Sequence, residues 1–303
     1  MQKKQSTSLY VSMLFGVLAT PAIASGSAFE SKDFVKEGLF TKGIEGPAVD
    51  GSGLLYAVNF GKEGTIGVID SSGKAQHYID LPKGSTGNGI RFGRDGSMYI
   101  ADYTGHNVLK VDPDKKSISV HSHNGNMNQP NDIAISDSGV IYASDPNWSK
   151  STGQLWMVKT DGKSVLLEKG MGTTNGIEVS PGGDKLYVNE SVQRKVWVYD
   201  ILANGSVSNK KLFHHFKDHG LDGMRCDAEG NLYIARYGAG KIAVLSPEGK
   251  LKQQVKLTGK HPTNVAFGGK DGKTVFVTMQ QRQAVETFDV NIPGRSYNLM
   301  FND

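Results

Sequence analysis

The sequence predicts an all-β fold: a six-bladed β-propeller with four antiparallel strands per blade, the last blade closed by an N-terminal strand. The first supporting observation is a recurring step from an oxygen-bearing side chain to, usually, glycine. It reads Glu45-Gly46, Asn88-Gly89, Asn131-Asp132, Asn175-Gly176, Asp222-Gly223 and Asn264-Val265, at intervals of 43, 43, 44, 47 and 42 residues. Periods of this length belong to propellers and related arrays. The second is that each copy continues with apolar alternation on both sides of a glycine-containing turn, which marks a hairpin. The third is composition. Among 303 residues, 38 glycines and ten prolines suit many tight turns, and 38% hydrophobic content suits short strands buried on alternate residues.

The N-terminus comes first in chain order. Lys3 and Lys4 precede an apolar run from Leu9 to Leu18, and Thr20-Pro-Ala-Ile-Ala24 places small residues before a cut after Ala24. This predicts a signal peptide over 1–24 and one propeller domain over 25–303 in a periplasmic or secreted protein. The apolar run is short for a bilayer span, so an uncleaved anchor is the lesser reading, and no membrane association is expected after cleavage. Removal of two lysines lowers the formal charge from +4 to +2. With no basic run on one face, nucleic acid is not an expected partner. Cys226 is the single cysteine, which excludes an internal disulfide; its strand position suggests a small buried hydrophobe.

Within the repeats, Asn131-Asp-Ile-Ala-Ile-Ser reads as a strand, Asp137-Ser-Gly as a turn and Val140-Ile-Tyr-Ala-Ser as the returning strand. Gln154-Leu-Trp-Met-Val and Ser164-Val-Leu-Leu supply the third and fourth strands of that unit. One blade alone has two exposed faces, and stacking around an axis lets neighbours cover them. The sixth unit ends after Val285-Glu-Thr-Phe-Asp with little chain left. Phe34-Val-Lys-Glu-Gly-Leu-Phe, upstream of the first unit, is therefore expected to supply its fourth strand.

Fourteen residues after each anchor come Asn59, Asp102, Asp145, Asn189, Arg236 and Thr278. A strand that leaves its anchor and returns through a turn brings this second polar set to the same end of the central tunnel. Neutral carboxamides beside Glu45 and Asp222 form an oxygen-only donor set suited to a hard divalent cation, whereas structural zinc sites use Cys or His. The competing reading is that each Asn or Asp makes a local Asx turn at its blade entry.

These residues resemble the senescence-marker-protein, gluconolactonase and luciferin-regenerating-enzyme hydrolases, which are six-bladed propellers with one divalent metal. The likeness is carried by Glu45-Gly-Pro, Gln129-Pro-Asn-Asp, Thr174-Asn-Gly-Ile-Glu-Val-Ser-Pro, Leu221-Asp-Gly-Met-Arg-Cys-Asp-Ala-Glu-Gly-Asn-Leu and Thr263-Asn-Val-Ala-Phe-Gly-Gly, in order along nearly the whole mature chain. The resemblance implies that Glu45, Asn175 and Asp222 are metal ligands. It makes Asn131 a further ligand or a substrate contact, and leaves Asn88 and Asn264 without an assigned chemical role. The implied metal is calcium, with magnesium or zinc as alternatives. Sugar-acid lactonases of the family carry Arg where this chain has Gln129, which puts sugar-lactone specificity in question. Phosphotriesterase-type relatives hold a second calcium with an Asp where this chain has Arg225, so one metal is expected.

The implied activity is hydrolysis of a cyclic ester by a monomeric enzyme acting on a small lactone or ester. The metal would polarise the carbonyl, and Asp222 or a metal-bound water would act as base. Asp102, Asp145 and Asn189, with Gln129 and Asn131, are expected on the substrate side. His219, three residues before Asp222, and His261, three before Asn264, are candidate mouth residues, His219 being the first to test. Trp148 either walls the pocket or covers blade three. The rival readings are a non-catalytic binding propeller and a phosphotriesterase-like hydrolase.

Overall fold

The computed structural model describes residues 28–297; the expected signal segment at 1–24 lies outside them. Six four-stranded antiparallel sheets follow one another along the chain, and their innermost strands contact each other in cyclic order, the sixth meeting the first. The strand Lys32–Val35 pairs antiparallel with Ala284–Asp289, so an N-terminal strand does complete blade six. It is shorter and earlier than the expected 34–40 segment. Phe40 instead bridges to Phe60 in blade one, where their rings meet edge to face.

The core lies between the blades. Six apolar clusters occupy the six blade-to-blade interfaces; one joins Tyr233, Ala235 and Val244 of blade five to Val265, Phe267 and Val275 of blade six. Ile90, Ile133 and Leu155 are completely buried there. Each such side chain contributes about 1.5–3 kcal/mol, and only a stacked neighbour makes that burial available. Cys226 takes the expected place, buried on the strand Met224–Cys226.

Local turn chemistry sets the hairpins. Asp50 Oδ1 accepts from the backbone N–H of Ser52 and Leu54, each at 2.9 Å, which closes the first turn of blade one. The glycine that follows four of the six anchors answers a different need. Gly46 has φ of 57°, and a Cβ there would lie 1.9 Å from the carbonyl oxygen of Asn88. A Cβ on Gly223 would lie 1.9 Å from Cγ of Asn264. Where glycine follows the anchor, the step is thus an inter-blade contact at which adjoining innermost strands approach too closely for a side chain.

After the last strand the chain crosses the tunnel end opposite the anchors. Ala228 N–H donates to the carbonyl of Pro293 at 2.8 Å, and the Arg295 guanidinium donates to the carbonyl of Ile135 at 3.2 Å in blade three. Among the described residues, no helix is long and apolar enough to cross a membrane.

Candidate metal centre and hydrolytic site

Glu45, Asn88, Asn131, Asn175 and Asp222 converge on one cavity of about 330 Å³ at the anchor end of the tunnel, walled in part by Trp148, Tyr237 and Gln280. They meet because each stands at the entry of an innermost strand, and the six entries face the axis together. Asn264, the sixth anchor, turns to its neighbours. Its amide donates to Glu45 Oε2 at 2.9 Å, and its carbonyl accepts from Arg225 Nη1 at 3.1 Å.

Two carboxylates share this cavity in an environment that resists their charge. Burial pushes the Glu45 carboxyl up to about 7, and nearby Asp132 adds to the rise; the Gly46 N–H and the Asn264 amide oppose it. Asp222 is likewise raised well above the usual carboxylate range, first by burial and then by Glu45. The Asn189 amide fixes the Asp222 backbone by donating to its carbonyl at 2.6 Å. The carbonyl oxygens of Asn131 and Asn175 are buried without any hydrogen-bond partner. Partnerless carbonyls beside two acids whose ionisation is penalised are groups that a bound cation would satisfy. The all-oxygen donor set fits a hard divalent ion. Among the described residues no three His, Cys, Asp or Glu side chains group as metal ligands, so an ion here depends on the asparagine carbonyls.

The second polar set lies at the expected end of the tunnel, since Asp102 pairs in register with Gly87 and Thr278 with Asn264. Its side chains have other work. Asp102 is fully buried and accepts from the Ser85 hydroxyl at 2.8 Å and the Thr86 N–H at 3.2 Å. Asp145, also fully buried, accepts from the N–H groups of Asn128 at 2.8 Å and Gln129 at 2.6 Å and from the Trp156 indole at 3.0 Å. The carboxylates of Asp102 and Asp145, expected on the substrate side, are thus engaged by neighbouring donors, while Asn189 uses its amide N–H on the Asp222 carbonyl and keeps a carbonyl oxygen without a partner. A loop that enters an innermost strand leaves backbone donors unpaired, and these side chains satisfy them or lock the adjoining anchor.

His219 has a left-handed backbone, φ 46°, and neither it nor His261 lines the cavity. The His261 ring packs edge-on against Tyr237 instead, with centroids 4.8 Å apart. Gln129 lines an adjoining hollow with Tyr103, His106 and Asn147, and Trp148 borders both spaces. Trp148 opens a single 3-10 turn whose start is capped by the Asn147 side chain.

Below the anchors runs a charged network that periodicity alone does not reveal. Asp132 is 1% exposed and accepts from Arg91 at 3.1 Å and Arg225 at 3.2 Å. Burial works against its charge, yet Arg91 and Arg225 hold its carboxyl below the usual range. At the place equivalent to the second-calcium Asp of the phosphotriesterase-type relatives there is thus a guanidinium already paired with a carboxylate. The signal was present three residues after the anchors, where Arg91, Glu178 and Arg225 interrupt Ala48, Ala134 and Phe267.

Residues 44–281 match the SMP-30/Gluconolactonase/LRE-like region, and the chain belongs to that family of six-bladed propellers. It is 30% identical to the gluconolactonase of Zymomonas mobilis over 215 residues, covering 63% of this chain and 60% of that relative's length. It is also 29% identical to the diisopropyl-fluorophosphatase of Loligo vulgaris over 299 residues, covering 86% of this chain and 95% of the squid protein. Among solved structures, the calcium-binding protein regucalcin of Agrobacterium tumefaciens superposes with a TM-score of 0.77 at 21% identity, covering 89% of this chain and 97% of its own.

Proposed function

We propose that this protein is a metal-dependent hydrolase of cyclic esters. One observation carries the reading: buried Glu45 and half-buried Asp222 share a single cavity with the partnerless carbonyls of Asn131 and Asn175. Glu45, Asn131, Asn175 and Asp222 would hold the ion, calcium being the best match to these oxygens. A divalent ion held there supplies Lewis-acid polarisation of the ester carbonyl.

Asp222 serves as the general base. Burial and the Glu45 carboxylate raise its carboxyl well above the usual range, which makes the ionised form a stronger proton acceptor. It takes a proton from the attacking water as the new C–O bond forms, and returns it to the ring oxygen as the lactone C–O bond breaks, leaving a hydroxy acid. Asn189 and Asn264 keep the two carboxylates in place through the Asp222 backbone and Glu45 Oε2. Trp148 and Tyr237 narrow the entrance and limit water around the reacting ester. The extensive match to the squid phosphatase supports a second reading, hydrolysis of organophosphorus esters at the same site.

The test is an assay of wild-type and Asp222→Asn protein against sugar lactones, simple lactones, aryl esters and diisopropyl fluorophosphate. Loss of about 10²-fold or more in kcat with one lactone class is expected for the variant. Turnover of the phosphofluoridate alone selects the second reading, and an unaffected variant sinks both.

A further inference from the structure

We propose that the opposite end of the tunnel is a separate binding site for a small organic monocarboxylate. A cavity of about 280 Å³ lies there, lined by Arg91, Arg225 and Arg295 together with Phe92, Ile135 and Phe267. It shares no lining residue with the metal-end cavity, so this proposal stands apart from the hydrolase reading.

Arg91, Arg225 and Arg295 are 6%, 4% and 5% exposed, and two of the three guanidiniums are incompletely paired. Nε of Arg91 and Nε of Arg295 have no hydrogen-bond partner. Glu178 stands among all three at 3.5–4.0 Å, close enough for attraction but without a direct hydrogen bond to any of them. Asp132 is already shared between Arg91 and Arg225, and Asp137 accepts from Arg295 at 2.8 Å while facing Arg94 at 3.7 Å. On the rim, Asp95 is held by Lys110 at 3.3 Å. Arg91, Arg94, Arg225 and Arg295 therefore exceed Asp132, Asp137 and Glu178 by one positive charge.

Buried N–H donors without acceptors are costly, and a carboxylate supplies two acceptor oxygens in the geometry that guanidinium groups match. One surplus charge matches a monoanion better than a phosphate dianion. The walls of Phe92, Tyr99, Ile135 and Phe267 favour a ligand with an apolar body over a strongly hydrated inorganic ion. Burial lowers the Arg91 guanidinium to about 10, and neighbouring Arg225 contributes, as expected where cations crowd without enough counter-charge.

Sodium benzoate is the probe and benzamide its uncharged counterpart, both titrated calorimetrically into the full protein. Saturable benzoate binding with benzamide at least about tenfold weaker is expected. Arg295→Gln should weaken benzoate about tenfold or more, and Arg94→Glu, a change at an exposed rim residue that keeps the core intact, several-fold. Asp222→Asn should leave the affinity unchanged. Binding lost in Asp222→Asn but kept in Arg94→Glu would assign the ligand to the other cavity and overturn the proposal. Equal affinity for benzamide, or no saturable heat, would overturn it as well.

Discussion

Removing the divalent ion should make stability depend on pH through Glu45, and the size of the effect follows from its surroundings. In the ion-free protein burial lifts the Glu45 carboxyl from 4.5 to about 7. A raised carboxyl keeps its proton in the folded chain where the unfolded chain has already lost it. Folding stability therefore falls as pH rises from 4.5, and the loss is complete above about 7. At about 1.4 kcal/mol per pKa unit, Glu45 alone withdraws about 3 kcal/mol across that window. Asp222, also raised, adds to the loss in the same direction. A bound cation restores both carboxylates, so the gap between loaded and stripped protein should widen from pH 5 to pH 8. In thermal unfolding with calcium or with chelator, that gap should grow by roughly 10 °C. Glu45→Gln should remove the Glu45 share of the pH dependence and leave that of Asp222. A gap that is constant with pH, or larger at pH 5, would refute the placement of the ion between these carboxylates.

Two further substitutions separate structural from chemical roles. Asp145→Asn should cost about 1–3 kcal/mol, because an amide nitrogen in place of Oδ2 cannot accept the Trp156 indole N–H, read from denaturant midpoints. Its kcat per folded molecule should change little, and a kcat loss without destabilisation would return Asp145 to the substrate. Arg225→Met should destabilise by about 3–5 kcal/mol, because Asp132 and Glu178 then lose a buried cation. The addition of Asp132→Asn should recover part of that loss, and a wild-type unfolding midpoint for Arg225→Met would show that the network carries no energy.

The ring of blades was legible because one position repeats. Glu45, Asn88, Asn131, Asn175, Asp222 and Asn264 share a register, and a shared register on innermost strands means a shared end of the tunnel. Register fixes where a side chain starts but not what it touches. Asp102 and Asp145 lie at the expected end, yet their carboxylates are consumed by loop N–H groups that any blade entry must satisfy. Asn264 likewise belongs to the ring while bonding to Glu45 and Arg225. The arginine network was harder to read, since Arg91, Glu178 and Arg225 acquire meaning only when blades two, four and five bring them together. Arg295 lies beyond the last repeat, where no periodicity indicates that the chain crosses the tunnel to blade three.

The central claim is that Glu45, Asn131, Asn175 and Asp222 bind one divalent ion on which ester hydrolysis depends. The most direct measurement is equilibrium dialysis of stripped protein against calcium, with bound ion and lactone turnover determined on the same samples. Saturation at about one ion per chain, activity that rises in proportion to occupancy, and loss of both in Glu45→Gln are expected. Full turnover by protein that holds no divalent ion, or ion binding undiminished in Glu45→Gln, would contradict the claim.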